Sequence, residues 1–140
     1  MRGKFIADTG PLVALLNSRD KHHAWAREMF VSMEPPLMTC EAVISVTCFL
    51  VRAINGGSQA VFGLLERGVL ELSFRLAPNQ AAVRTLMARY SSVPMSFADG
   101  CLVRMSELEP KATILTLDSD FKFYRRSGRQ VIPVAMPEKV

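Results

Sequence analysis

Short apolar runs alternate with amphipathic segments along this chain, and the alternation constrains the fold more than any other feature of the sequence. The predicted strands are Lys4–Ala7, Leu37–Thr39, Val69–Leu76, Ala112–Leu117 and Val131–Val134. The predicted helices are Pro11–Leu16, His22–Met33, Cys40–Ile54, Ser58–Glu66, Pro78–Tyr90 and Ser96–Leu108. Strands that alternate with helices are typical of a parallel sheet covered by helices on both faces. We expect one domain over residues 1–140.

The composition narrows the class of protein. Hydrophobic residues make up 49% of the chain and charged residues 21%, which indicates a folded globule rather than a disordered chain. No apolar run approaches the roughly 18 residues of a membrane span, and Asp8 comes too early for a signal peptide. We therefore expect a cytoplasmic protein without a membrane partner. Its three cysteines form no C-x-x-C pair, and we expect them to be reduced.

Three acidic residues follow predicted strands or begin a helix at the same edge of the expected sheet. Asp8 follows the first strand, Asp118 follows the strand at 112–117, and Asp99 lies in the first turn of the helix that begins near Ser96. Ligands of parallel sheets bind outside the carboxyl ends of the strands. Carboxylates gathered in one cleft repel one another unless a cation neutralises them, and oxygen ligands without Cys or His favour Mg²⁺ or Mn²⁺. Such an ion activates water and neutralises charge on a phosphodiester.

Each of these acids also has a purely structural interpretation. Asp8 could stabilise the following helix through its dipole, and Ser96-Phe97-Ala98-Asp99 fits a capping box. Asp118 and Asp120 are typical turn formers. Two hydroxyl side chains flank the same edge and could orient a ligand or a water, namely Thr9, which could instead cap the helix, and Thr116. The residues alone leave the catalytic and the structural interpretations open.

A set of segments spread over nearly the whole chain carries a resemblance to a known family. These segments are Ala7–Leu16, Asp20–Ala26, Thr39–Ser45, Pro94–Asp99 and Leu115–Phe121. Each is weak by itself, but their order along the chain is specific. Together they resemble the PIN domain, in its VapC-like branch of small bacterial nucleases.

The resemblance implies a three-layer α/β/α fold with a central parallel sheet, a cluster of four acidic positions that binds Mg²⁺ or Mn²⁺, and cleavage of RNA. Asp8, Asp99 and Asp118 match the first, third and fourth acids, so they are the expected catalytic and metal-binding residues. Asp120 matches an accessory acid of the final loop. Relatives of this type often act as toxins held inactive by a small antitoxin protein, and they commonly form homodimers.

The second acid of the family pattern is missing. The pattern would place Glu at position 46, where this chain has Val46, which we expect to pack in the core on a stripe with Val43 and Leu50. Glu41 is a poor substitute, because five residues turn a helix to a direction about 140° away from position 46. The resemblance therefore predicts a weakened nuclease, and the alternative is a catalytically silent module that binds RNA or a protein partner.

Three arginines follow the last acid, namely Arg125, Arg126 and Arg129. They are candidate phosphate contacts, and the mild basic excess of the chain, 17 Lys and Arg against 13 Asp and Glu, permits a polyanionic partner such as RNA. The alternative is a solvated basic turn.

A phosphate-accepting signalling domain is a third interpretation of an aspartate at a strand end. Such domains usually place a pair of acids after the first strand and a lysine after the last. Here Asp8 stands alone, and Ile132–Val134 contains no lysine. The sequence therefore disfavours this interpretation.

Overall fold

A computed structural model describes residues 2–138, so the predicted domain boundaries at residues 1 and 140 lie outside the described residues. The strands are β1 (Phe5–Ala7), β2 (Leu37–Thr39), β3 (Leu70–Leu72), β4 (Thr113–Leu115), β5 (Arg125–Arg126), β6 (Gln130–Val131) and β7 (Val134–Ala135). The helices are α1 (Thr9–Leu16), α2 (His23–Ser32), α3 (Glu41–Leu50), α4 (Gly57–Glu66), α5 (Leu76–Arg89), α6 (Phe97–Leu108) and α7 (Asp120–Phe123). None of the helices described is long and apolar enough to cross a bilayer.

Five strands form a parallel sheet in the order β3-β2-β1-β4-β7. Every residue of β1 and of β2 is buried, which explains why these strands read as continuous apolar runs rather than as an alternation. Helices flank the sheet. The predicted α/β/α fold class with a central parallel sheet is confirmed.

The order of connections locates the place where a ligand can enter. The chain moves from β1 to β2 to β3 in one direction and then crosses to β4 on the other side of β1. Because crossovers between parallel strands are right-handed in nearly all proteins, we expect α1–α4 on one face of the sheet and α5 and α6 on the other. The direction of winding therefore changes between β1 and β4, and the carboxyl ends of these two strands border a crevice. The backbone N–H of Asp8 donates to the carbonyl of Leu115 at 3.0 Å and holds the two ends side by side.

Several predicted boundaries were wrong for local reasons. Helix α3 ends at Leu50 instead of Ile54, and α5 begins at Leu76 instead of Pro78, because a proline is tolerated within the first turn of a helix. Helix α3 buries Val43, Ile44 and Thr47, so its inner face is rotated from the predicted stripe. The hydroxyl of Thr47 donates to the carbonyl of Val43 at 2.7 Å, which allows this polar residue to be buried.

The predicted last strand, Val131–Val134, is divided in two. Val131 belongs to β6, which pairs antiparallel with β5, whereas Val134 begins β7 beside β4. Pro133 separates them, since it has no backbone N–H to donate to a ladder, but its carbonyl accepts from Ile114 at 2.9 Å.

The three cysteines are free thiols. Cys40 and Cys101 are buried, and the interaction with Cys101 lowers the pKa of Cys40, whereas Cys48 is half-buried. Cys40 lies at the N-terminus of α3 and Cys101 within α6, so their contact joins the two helices.

Candidate metal-binding cleft

A cleft of about 840 Å³ opens at the carboxyl ends of β1 and β4. Its walls are the starts of α1 and α6, the first turns of α3 and the loop after β4. Asp8, Asp99 and Asp118 all line it, although they come from three distant parts of the chain. The structure therefore brings the three predicted acids to one place, at the switch point of the sheet.

Asp8 is buried, with 7% of its surface exposed, and both of its carboxylate oxygens are hydrogen bonded. One oxygen accepts from the backbone N–H of Thr9 and the other from the hydroxyl of Thr116, each at 2.7 Å. Asp8 is the N-cap of α1, a role that the sequence suggested for Thr9. The capping and the cleft-lining roles of Asp8 thus coexist.

Thr116 connects two of the acids. Its buried hydroxyl donates to Asp8 and accepts from the backbone N–H of Asp118 at 2.9 Å. It lies beneath the cleft and is not among the lining residues, whereas Thr9 lines the cleft directly. Thr116 therefore acts on a ligand only through the carboxylates that it positions.

Asp118 closes the turn that begins α7. Its Oδ1 accepts from the backbone N–H of Asp120 at 2.9 Å, which is the turn-forming role expected from the sequence. Asp120 is half-buried in the first turn of α7 and is not among the cleft-lining residues, although its charge raises the pKa of Asp99.

Asp99 is held in place through both its backbone and its side chain. The hydroxyl of Ser96, the N-cap of α6, accepts from the backbone N–H of Asp99 at 3.0 Å, so the predicted cap is confirmed. The Asp99 carboxylate accepts from the hydroxyl of Tyr124 at 3.0 Å. Tyr124 is fully buried and packs edge-on against Tyr90 and Phe121, with ring centroids 5.0 and 5.3 Å away. Sequence analysis missed Tyr124, since no local pattern relates it to an acid 25 residues earlier.

Burial makes Asp8 and Asp99 difficult to ionise. The pKa of Asp8 is raised to about 6, because burial and, to a smaller extent, the charges of Asp99 and Asp118 outweigh the opposing hydrogen bonds from Thr116 and Thr9. The pKa of Asp99 is also raised, by burial and then by the charge of Asp118, against the hydrogen bond from Tyr124. Carboxylates in such surroundings gain from a nearby cation.

The side-chain atoms that could bind a metal in the cleft are of the type that Mg²⁺ and Mn²⁺ prefer. All three acids offer carboxylate oxygen, and neither Cys nor His lines the cleft within the described residues. As they are placed, no three such side chains in residues 2–138 converge closely enough to hold an ion by themselves. Mg²⁺ commonly binds through one or two carboxylates, several waters and a substrate phosphate, so a complete protein cage is not required.

At the second acidic position of the family pattern, the cleft wall carries an apolar side chain. Val46 is 40% exposed and lines the cleft, so the prediction that it packs in the core was wrong. Glu41 does not line the cleft but an adjoining pocket, as its angular position on α3 predicts. Helix α3 therefore contributes no carboxylate to the cleft.

The arginines after the last acid differ in accessibility. Arg126 is 7% exposed, and its guanidinium donates to the carbonyls of Ser106 and Pro110, both at 2.8 Å. Its predicted contact with phosphate is incompatible with this burial. Arg125 donates to three carbonyls of its own turn, whereas Arg129 is exposed.

Replacing Arg126 with alanine is expected to lower the free energy of unfolding by about 3 kcal/mol, because the buried carbonyl of Ser106 and the partly buried carbonyl of Pro110 lose a charged donor. Urea denaturation measures this change. The exposed neighbour provides the control, since Arg129→Ala is expected to stay within about 0.5 kcal/mol of the unmodified protein. Equal stability of the two variants would show that the buried contacts of Arg126 do not stabilise the fold.

Comparison with solved structures identifies a protein of the same fold. VapC20 of Mycobacterium tuberculosis, a toxin that cleaves the sarcin–ricin loop, superposes with a TM-score of 0.75 over 84% of this chain and 92% of its own, at 20% sequence identity. No protein-family model and no curated protein matches the chain in sequence. At this identity the similarity shows the fold, and the VapC-like fold that the resemblance implied is confirmed.

Proposed function

We propose that this chain is a divalent-metal-dependent ribonuclease of the PIN/VapC toxin type, which hydrolyses phosphodiester bonds of RNA with weakened activity. The observation that carries the proposal is the meeting of Asp8, Asp99 and Asp118 in one cleft at the switch point of the sheet. The fold shared with a toxin that cleaves an RNA loop supports the same activity.

The three acids would hold Mg²⁺ or Mn²⁺ together with waters and a substrate phosphate, which complete the coordination. When bound, such an ion supplies activation of water and neutralisation of charge on the phosphate. The protein's contribution is to keep the carboxylates in place: Thr116 positions Asp8 and Asp118, and Tyr124 positions Asp99. These buried donors fix side-chain orientation before any ligand arrives.

The charge of the cleft supports a metal requirement for binding RNA there. No Lys or Arg is found among its lining residues in the described part of the chain, whereas three Asp are. A phosphodiester that enters this cleft meets like charge unless a cation lies between them.

A catalytically silent module that binds RNA or a protein is the second candidate. It is favoured by Val46, which occupies the cleft wall with an apolar side chain where the family pattern has an acid. The fold and the three remaining acids are the same under both proposals, so restoring an acid at position 46 separates them.

Protein partners are part of the proposal. A small antitoxin protein and a homodimer follow from the resemblance, and both need apolar surface to bury. Such surface lies on α3 and α4, where Phe49, Leu50 and Phe62 are each at least half exposed.

Calorimetric titration with Mn²⁺ tests the metal site directly. We expect saturable binding to the unmodified protein, and at least about 10-fold weaker binding to Asp99→Asn, because a ligand oxygen loses its charge. Glu66→Gln, an exposed change on α4, is the control and should bind like the unmodified protein. Equal binding by Asp99→Asn, or none by the unmodified protein, would contradict the metal-dependent proposal.

A further inference from the structure

A second pocket adjoins the cleft. It has a volume of about 370 Å³, within the range of small-ligand sites, and it shares Ala42 and Phe97 with the cleft. Its other walls include Glu41 at the start of α3 and the segment Phe74–Ala77 at the start of α5. A strand of RNA whose phosphate lies at the acids could thus continue into this pocket.

Phe97 forms the boundary between the two cavities. It is the first residue of α6 and precedes Asp99 by two positions, and 43% of its surface is exposed. The ring is not part of the buried core cluster among the described residues. An exposed ring beside the acidic cleft is suited to stacking with a base, because every nucleobase presents a π-face.

Two opposite charges line the same pocket without neutralising each other. Glu41 and Arg75 are exposed, and within residues 2–138 neither side chain forms an ion pair or a hydrogen bond. Glu41 can accept a hydrogen bond from an amino group, as acidic side chains do from cytosine N4. Arg75 can contact a phosphate next to the one being cleaved.

We propose that this pocket binds the nucleobase adjacent to the scissile phosphate, an inference that rests on the proposed ribonuclease function. Phe97 stacks on the base, Glu41 accepts a hydrogen bond from its exocyclic amino group, and Arg75 contacts the neighbouring phosphate. The pocket selects adenine and cytosine over uracil, because uracil has no amino group and presents carbonyl oxygens to the carboxylate of Glu41.

Single-stranded RNA decamers of A, C or U, each with a fluorescent label, provide the probes. Binding is followed by fluorescence anisotropy in Ca²⁺, and cleavage is followed in Mn²⁺. We expect the A and C decamers to bind about 10-fold more tightly than the U decamer, a difference within the range of one specific base contact. Phe97→Ala should weaken binding to all three by about 10-fold and raise KM more than it lowers kcat, whereas Phe97→Tyr should keep the affinity.

Glu41→Gln should retain binding but lose the discrimination against U, because an amide both donates and accepts. Glu66→Gln, an exposed change on α4, is the matched control and should leave affinity and base preference unchanged.

The outcomes separate this inference from the function on which it rests. If the unmodified protein cleaves RNA in Mn²⁺ but Phe97→Ala and Glu41→Gln bind the three decamers as it does, the base pocket is wrong and the ribonuclease proposal stands. If the unmodified protein neither binds nor cleaves any decamer, the ribonuclease proposal fails and the base pocket fails with it.

Discussion

Replacing Asp8 with asparagine is expected to reduce cleavage of RNA by at least about 100-fold at saturating Mn²⁺. Asp8 is the most buried of the three cleft acids, and it joins the network of Thr116 and Asp118. The amide keeps the size of the side chain but removes the negative charge that would hold the cation. The loss corresponds to several kcal/mol of transition-state stabilisation, the contribution expected of a catalytic metal ion.

The same substitution is expected to stabilise the metal-free protein at neutral pH. Burial raises the folded-state pKa of Asp8 from 3.8 to about 6, so the folded state binds this proton more tightly than the unfolded state does. The stabilisation of the folded state by the proton on Asp8 is fully present below about pH 4 and is lost as the pH rises to about 6. Above that pH range, the ionised carboxylate of Asp8 therefore lowers the free energy of unfolding by about 3 kcal/mol. The neutral amide of asparagine avoids this loss.

Urea denaturation of both proteins at pH 4 and pH 8, without metal, measures the effect. Asp8→Asn should exceed the unmodified protein in stability by about 1 to 3 kcal/mol at pH 8, with a much smaller difference at pH 4. Asp20→Asn, outside the cleft, is the control for activity. Unchanged cleavage by Asp8→Asn would refute the ribonuclease mechanism, and a loss of stability at pH 8 would refute the pKa argument.

Replacing Val46 with glutamate is expected to raise metal-dependent cleavage by at least about 10-fold. Position 46 lines the cleft and is 40% exposed, so a longer acidic side chain has room there and faces the three aspartates. A fourth carboxylate increases the charge that attracts a cation, and ligand charge count is a main determinant of affinity at oxygen sites. In the absence of metal the added charge should lower stability slightly, through repulsion between like charges.

Initial rates of RNA cleavage over a range of Mn²⁺ concentrations measure the gain, and Val46→Gln, which adds similar bulk without charge, is the control. If only the glutamate variant cleaves, the natural chain is a silent module. If both cleave and the glutamate variant is faster or binds Mn²⁺ more tightly, the natural chain is a weakened enzyme. Equal rates and equal Mn²⁺ dependence in all three would show that position 46 does not influence the site.

The parts of the fold and cleft that follow from local signals were predictable. The strand Leu37–Thr39 was predicted with its observed limits, and the cap at Ser96 was found from the spacing to Asp99. The acids after β1 and β4 could be assigned to one edge of the sheet, because parallel strands present their carboxyl ends together. These inferences need only strand type, turn residues and chain direction.

Features set by long-range packing were not predictable. The inward face of α3 depends on how Val43 and Thr47 meet the sheet, so the apolar stripe that includes Val46 was assigned to the wrong side. The contact of Tyr124 with Asp99 depends on the packing of α7 against α6. The pocket between Glu41 and Phe97 requires α3, α5 and α6 to be in place together. No pattern within one segment of sequence encodes such contacts between distant segments.

The central position of β1 beside β4 has a consequence for biosynthesis. The hydrogen bond from Thr116 to Asp8 spans 108 residues, and β4 is the fourth of the five sheet strands to leave the ribosome. A nascent polypeptide that ends before β4 has no partner for the exposed flank of β1 and lacks one side of the cleft. Any activity that depends on the assembled acids therefore arises only after β4 and the loop that follows it have been synthesised.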